Sequence, residues 1–511
     1  MNLAQFAQQA AQRLASHPAL IWGETTWTWR EFETRVGQMA AVFRDHGVGH
    51  GDRVLVQSRN TNQMLESMIA AFRLGAVWVP ANMRGAPSDL AWMAELSGAK
   101  LLLCDAAFPE HASIPGPETV LAIGTAAFGA DIDALMANAR DAPPIAPVDR
   151  DDPAWLFFTS GTTGRPKAAI LTHGQLGFVV NNHLADLLPG TTHADTSLVV
   201  APLSHGAGLQ ALLMIARGAA TVLTTAPKFD TSEIWELIAR HRVSNMFTVP
   251  TILKRLVEAP EAASAERSSL KHVIYAGAPM YRADQIRAIE VLGPVLVQYF
   301  GLGEVTGAIT VLPPADHSTE TESRVGTCGY PRTGMAVEVQ DDTGTPLGPG
   351  QTGEICVTGP AVFAGYWQNP EANAKSFRNG FFRTGDLGHL DPEGYVYITG
   401  RASDMYISGG ANIYPREIEE KILEHPRVSE VAVFGMPDPE WGEIGVAVVT
   451  PNAGETLDPI ELGAFLDGAI ARYKMPRQFH VWEEIPKSGY GKMAKRLVRD
   501  ELERRMAKAN P

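Results

Sequence analysis

The sequence predicts an α/β protein, with a large N-terminal domain of α/β subdomains and a β-rich subdomain, followed by a small α+β domain. Three observations carry this. The first 400 residues alternate helix-like segments with short Val- and Ile-rich runs, as stacked strand–helix units with largely parallel sheets do. From about residue 325 short strands with Gly and Pro turns take over. At 511 residues the chain is also too long for one ordinary core.

Leu3, Phe6, Ala10 and Leu14 fall on one face of an N-terminal amphipathic helix. That segment lacks the basic start and unbroken apolar run of a secretory signal. The spacing predicts helices over 32–46 and 62–74 and strands at 53–57 and 77–80. Further buried strands are expected at 101–104, 196–201, 220–224, 246–249, 272–276 and 295–299, with helices at 232–240 and 250–258. The most apolar stretch, 206–226, is rich in Gly and Ala and contains Arg217, so it reads as a buried helix and strand rather than a membrane span. The β-rich part has strands at 335–340, 353–357 and 394–398. Then come a helix at 415–424, strands at 428–436 and 445–451, a helix at 459–470 and a strand at 478–483. The domains are therefore drawn as 1–400 and 406–511, with the boundary at 401–405.

Hydrophobic residues make up 45% and charged residues 20%, ordinary for a globular protein. A net charge of −14 argues against a nucleic-acid partner, while leaving room for a locally positive site. Cys104, Cys328 and Cys356 are far apart and form no CxxC pair. That excludes a disulfide framework or zinc site and points to a reducing, cytoplasmic setting.

The densest chemical signal is Thr159-Ser160-Gly161-Thr162-Thr163-Gly164-Arg165-Pro166-Lys167, which follows an apolar strand at 154–158. Glycines let a backbone approach a ligand, hydroxyls donate to phosphate oxygens, and Lys167 adds charge. It lacks the GxxxxGK[ST] order of a Walker A loop. This run resembles the phosphate loop of the adenylate-forming superfamily, which includes acyl-CoA synthetases, firefly-type luciferases and peptide-synthetase adenylation domains. Further matches follow in order. Pro202-Leu203-Ser204-His205-Gly206 is similar to the stretch at that family's acid pocket, and Ala276-Gly277-Ala278-Pro279 to its adenine-flanking turn. Gln298-Tyr299-Phe300-Gly301-Leu302-Gly303-Glu304 resembles its Y-G-x-T-E segment, and Arg383-Thr384-Gly385-Asp386 its ribose motif. Gly400-Arg401-Ala402-Ser403-Asp404 resembles the hinge, with Ser408-Gly409-Gly410-Ala411-Asn412-Ile413 in register behind it. Pro486-Lys487-Ser488-Gly489-Tyr490-Gly491-Lys492 resembles the C-terminal lysine loop.

The resemblance implies an acid–CoA ligase that uses ATP, Mg²⁺ and CoA, makes an acyl-AMP and pyrophosphate, then acyl-CoA and AMP. By the same resemblance, Glu304 ligates Mg²⁺, Asp386 takes the ribose hydroxyls, and Arg401 lies near the ribose and α-phosphate. Lys492 contacts the substrate carboxylate and α-phosphate, and Asp404 is the hinge about which the small domain rotates between half-reactions. Gly409 and Gly410 let a strand line the pantetheine tunnel. Residues 159–164, Gly277, Ala278, Pro279, Gln298, Tyr299, Phe300, Gly303 and Ile398 fall on the nucleotide side. His205, Gly206, Leu209, Gly301, Leu302 and Val305 fall at the acid pocket. The chain departs from the family at Gly303, where Thr is usual and contacts the α-phosphate; a backbone N–H is the substitute. Acetate-specific relatives plug the pocket with Trp at the position of Gly301, so glycine there implies a larger acid, whether medium-chain, branched or aryl. No Asp stands ready for a substrate ammonium. Two alternatives remain, an adenylation enzyme that loads a carrier protein and a non-catalytic acyl or nucleotide sensor. A homodimer is left open.

Overall fold

A computed structural model describes residues 1–159, 165–278, 280–317, 324, 326–487 and 493–509. It is a mixed α/β structure with a large N-terminal part and a small C-terminal one, as expected. Four sheets organise it. A seven-stranded sheet has the strands Arg53–Gln57, Val77–Pro80 and Leu101–Asp105 at its centre, all parallel. Its edge is an antiparallel hairpin of Pro153–Thr159 and Lys167–Thr172, with Thr159 opposite Lys167. A nine-stranded sheet carries Thr196–Val199, Asn245–Thr248, His272–Tyr275 and Leu296–Phe300 in parallel, then turns antiparallel through Thr310–Leu312.

Both sheets bury strands on two faces, which explains why their strands read as continuous apolar runs. The helices Trp29–Asp45, Asn62–Arg73 and Gly206–Arg217 pack into one large core between them. Trp29, Trp78 and Trp155 are its largest fully buried side chains; the last two meet edge to face at 4.6 Å.

Two smaller sheets follow. The first is antiparallel and holds Ala336–Gln340, Gly353–Thr358, Phe381–Leu390 and Val396–Arg401. The second holds Tyr406–Ser408, Ala411–Ile413, Val428–Asp438, Gly442–Pro451 and Gln478–Val481, covered by the helices Pro415–Leu423, Pro459–Leu466 and Lys495–Ala509. The chain passes from one to the other between Arg401 and Tyr406.

The strand Phe381–Leu390 was not expected from the sequence, because Gly385 and Gly388 break up its pattern. Its burial nonetheless alternates residue by residue from Phe382 to Gly388. The helix Lys495–Ala509 was also unexpected. Fifteen residues of mostly charged sequence offer Val498 and Leu502 as the pair seated on the sheet, four apart on one helix face.

Candidate active site

The edge hairpin brings Thr159 and Lys167 together, and the intervening Ser160, Gly161, Thr162, Thr163 and Gly164 lie outside the described residues. The return strand is anchored from outside. Arg165 stacks over the Trp92 ring at 4.6 Å, and Trp92 Nε1 donates to the Pro166 carbonyl at 2.9 Å.

Glu304 sits in the turn Gly303–Val305, directly after the strand Leu296–Phe300, and is only 6% exposed. Its Oε1 accepts hydrogen bonds from Thr159 Oγ1 at 3.2 Å and from the Tyr366 hydroxyl at 2.8 Å. The Lys167 ammonium lies over the Tyr366 ring, 4.6 Å from its centroid. Thus two separate stations of the motif series meet around a tyrosine that the sequence reading missed. Among the described residues no cluster of three or more His, Cys, Asp or Glu forms a metal cage. A lone carboxylate with one oxygen committed to hydroxyl donors still fits Mg²⁺, which is commonly held by one or two carboxylates plus substrate phosphates.

Asp386 and Arg401 face each other across adjacent strands, with Arg401 Nε donating to Asp386 Oδ1 at 2.9 Å. The Asp386 backbone N–H donates to Thr384 Oγ1, which in turn donates to the Ile355 carbonyl. Asp386 Oδ2 is buried and has no hydrogen-bond partner among the described residues. Burial pushes the Asp386 carboxyl above the usual range, although Arg401 opposes the shift. A buried acceptor without a donor is costly, so this oxygen is suited to a ligand hydroxyl.

Alternation along Leu296–Phe300 divides the expected nucleotide residues. Tyr299 is buried and packs with Phe247 and His183, whereas Gln298 and Phe300 are half-buried on the other face. This separates Tyr299 from its two neighbours and puts it on the face that holds Phe247 and His183. Phe300 packs against the Cys328–Val339–Ile355–Val396 cluster, and Ile398 joins it there. Gln298 Oε1 accepts from the Tyr275 hydroxyl at 3.1 Å. Gly277 and Ala278 follow the neighbouring strand, where Gly277 takes a φ of +82°. Pro279 lies outside the described residues.

Among the residues expected at the acid pocket, His205 precedes the helix Gly206–Arg217, and its Nδ1 meets Ser204 Oγ at 2.8 Å. The His205 ring sits edge-on to Phe157 at 5.2 Å. Leu209 and Val305 are buried in the main core, and Leu302 packs partly buried against it.

The glycines here have a different reason from the one the sequence suggested. A Cβ on Gly301 would lie 2.4 Å from the Gly307 Cα, so backbone, not open space, fills that direction. A Cβ on Gly206 would meet the Phe247 ring at 2.5 Å, and that ring stacks on Tyr299 at 6.0 Å and 22°. At Gly303 a Cβ would lie 2.5 Å from Phe157 Cε1 and 2.9 Å from Thr159 Cγ2. Glycine at 303 is thus required by the bulk of Phe157.

Asp404 lies in the connection between the two small sheets, where its N–H donates to the Arg401 carbonyl at 3.1 Å. Gly409 and Gly410 do not line a strand. They form the two-residue turn between Tyr406–Ser408 and Ala411–Ile413, with φ of +57° and +80°. Both central residues of such a hairpin turn need positive φ, which favours glycine. Lys492 lies outside the described residues, but Lys487 and Met493 pair as an antiparallel bridge on either side of 488–492. Lys487 is engaged by Glu430 at 2.6 Å and Lys495 by Glu419 at 2.8 Å.

The structure thus brings Lys167, Glu304 and Tyr366 together at one point, and pairs Asp386 with Arg401 across neighbouring strands. Residues 6–367 match the AMP-binding enzyme family and residues 417–492 match the AMP-binding enzyme C-terminal domain, so the chain belongs to that family. It is 37% identical to a feruloyl-CoA synthase from Amycolatopsis sp, over 95% of this chain and 96% of that one. A long-chain-fatty-acid–CoA ligase from Mycobacterium tuberculosis is 33% identical over 93% of each chain. The solved o-succinylbenzoate CoA synthetase from Bacillus subtilis, in complex with its acyl-adenylate intermediate, superposes with a TM-score of 0.85 at 31% identity, covering 97% of both chains. Among the described residues no helix is long and apolar enough to cross a membrane.

Proposed function

We propose that this AMP-forming acid–CoA ligase takes an aryl carboxylic acid. A carboxylate oxygen bonds to the α-phosphorus of ATP while the bond to pyrophosphate breaks. The CoA thiol then bonds to the acyl carbon, its proton is lost, and AMP leaves. The observation that carries the adenylating half is Asp386, whose buried Oδ2, without a hydrogen-bond partner among the described residues, lies beside Arg401 and suits a ribose hydroxyl. Attack of one anion on another needs positive charge at the phosphates. Lys167 supplies it from the hairpin, and Lys492 is assigned to the α-phosphate and substrate carboxylate. Lys487 and Lys495 are held in ion pairs of the C-terminal part, which favours Lys492 for that role. Glu304 would hold Mg²⁺, which neutralises charge as pyrophosphate departs. The 401–405 connection serves as the hinge about Asp404, with 1–400 and 406–511 as the moving bodies, in a cytoplasmic enzyme.

The choice of an aryl acid rests on the aromatic surround of the acid side. Phe247 stacks on Tyr299, and Phe157 meets His205 edge-on. Flat rings favour a flat guest. The feruloyl and succinylbenzoate relatives point the same way, while the fatty-acid relative does not. The test is acid-dependent ATP–pyrophosphate exchange across benzoic, arylpropenoic, medium-chain and branched acids, followed by CoA-dependent AMP release without carrier protein. Aryl acids should give the highest kcat/KM. A medium-chain acid as the best substrate would overturn the aryl assignment, and no AMP release with CoA would overturn the acceptor.

A further inference from the structure

Tyr366 is in none of the motifs that mark the site, yet it touches two of them. Its hydroxyl donates to Glu304 Oε1 at 2.8 Å, and its ring carries the Lys167 ammonium 4.6 Å from the centroid. The backbone around it is fixed. Tyr366 bridges to Ala169, Ala364 N donates to the Ile170 carbonyl, and Trp367 N donates to the Ala168 carbonyl. Thus residues 364–367 lie along the strand that begins with Lys167. Phe363 N also donates to the Glu304 carbonyl at 2.8 Å, and Asn373 clamps the Tyr366 backbone through both its N–H and its carbonyl. The ring itself is 6% exposed and held edge-on by Phe363 at 4.8 Å.

We propose that Tyr366 is a positioning residue that keeps Lys167 and Glu304 apart while fixing both. This rests on the reading of Lys167 and Glu304 as the phosphate and metal groups. Lysine and glutamate this close in the fold would gain by pairing directly, and such a pair would be lost to the substrate. The ring offers the ammonium a π face instead. Among the described residues Lys167 forms no ion pair within 4.0 Å. The phenol, by donating to Oε1, commits that oxygen along with Thr159 and leaves Oε2 without a hydrogen bond among the described residues. Donation to a carboxylate also draws electron density into the phenol oxygen and ring, which strengthens the hold on the ammonium.

The test uses the full chain and two substitutions that separate the contacts. Tyr366→Phe keeps the ring and removes the hydroxyl; Tyr366→Leu removes both. ATP binding is measured by calorimetry in EDTA and in buffered Mg²⁺, alongside the Mg²⁺ requirement of pyrophosphate exchange and the melting temperature. Glu304→Gln and Lys167→Ala are run in parallel. Loss of one charge-assisted hydrogen bond corresponds to about a 10-fold effect. The expected result for Tyr366→Phe is metal-free ATP affinity within about two-fold of the parent, and a Mg²⁺ requirement raised about 10-fold. Tyr366→Leu should also lose metal-free ATP affinity, approaching Lys167→Ala. A merely structural tyrosine would lower the melting temperature and leave the Mg²⁺ titration of folded protein where it was. If Glu304→Gln shifts the Mg²⁺ requirement and Tyr366→Phe does not, the proposal is overturned. If Glu304→Gln shifts nothing, the underlying assignment of Glu304 fails instead, and the proposal falls with it.

Discussion

Replacing Gly303 with alanine adds one methyl group where two neighbours already stand, 2.5 Å from Phe157 Cε1 and 2.9 Å from Thr159 Cγ2. No backbone strain enters, because Gly303 is not among the residues with positive φ. The cost is therefore steric and must be met by Phe157. That ring cannot simply swing away, since it lies against Trp155 at 5.7 Å and His205 at 5.2 Å and is 9% exposed. Overpacking of this kind costs about 1–3 kcal/mol. Displacing the ring also moves its contact with His205, so the KM for the acid should rise along with the loss of stability. The measurements are the urea midpoint, and KM for acid and for ATP, in Gly303→Ala, Phe157→Leu and the double substitution. Phe157→Leu should recover at least half of the stability lost in Gly303→Ala, a coupling of about 1 kcal/mol for residues in contact. A Gly303→Ala protein as stable as the parent, with an unchanged acid KM, would refute the view that Phe157 dictates glycine here.

Two further outcomes concern charge. Asp386→Asn should leave the melting temperature of the ligand-free protein at pH 7 unchanged or raised, while weakening ATP binding about 10-fold or more. Burial already raises this carboxyl above its ordinary value of 3.8, so the native state binds the proton more tightly than the unfolded one. Its contribution to stability is thus full below 3.8 and falls as pH rises through the raised native value, and an uncharged isostere escapes that loss. A marked drop in melting temperature would count against this balance. The buried histidines act in the opposite sense. Burial pushes His173 and His317 down to about 4 from an ordinary 6.5. The unfolded chain binds more protons between those values, so urea stability should climb as pH rises from about 4 to 6.5. A flat profile over that range in the parent, with no change in slope in His173→Gln, would contradict it.

Much of the fold was legible because its strands are buried on both faces. Arg53–Gln57, Val77–Pro80 and Leu101–Asp105 fall where the apolar pattern puts them. The motif stations stand out in the sequence because each carries unusual local chemistry in a few consecutive residues. What local pattern could not reveal was contact between stations. Tyr366 and Glu304 are 62 residues apart, and the segment holding Tyr366 has no regular period. The steric reason for Gly303 was hidden for the same reason. The sequence shows an absent hydroxyl there, whereas the structure shows a phenyl ring arriving from 146 residues earlier in the chain. Gly409 and Gly410 were placed in a strand although adjacent glycines between short alternating segments are a hairpin signal.

The packing of Gly301 on Gly307 bears on any effort to retune this enzyme. Gly307 in turn has a φ of +73°, and a Cβ there would strike the Tyr299 ring at 2.4 Å. The two glycines and the tyrosine form a stack with no slack, so a library randomised at 301 or 307 should return glycine among its active clones. Breadth of acid use is better sought at Gly206, which faces a single ring. Trimming Phe247 to a smaller side chain opens volume beside Gly206 without disturbing a backbone crossing. Variation is cheaper against a movable side chain than against a backbone crossing.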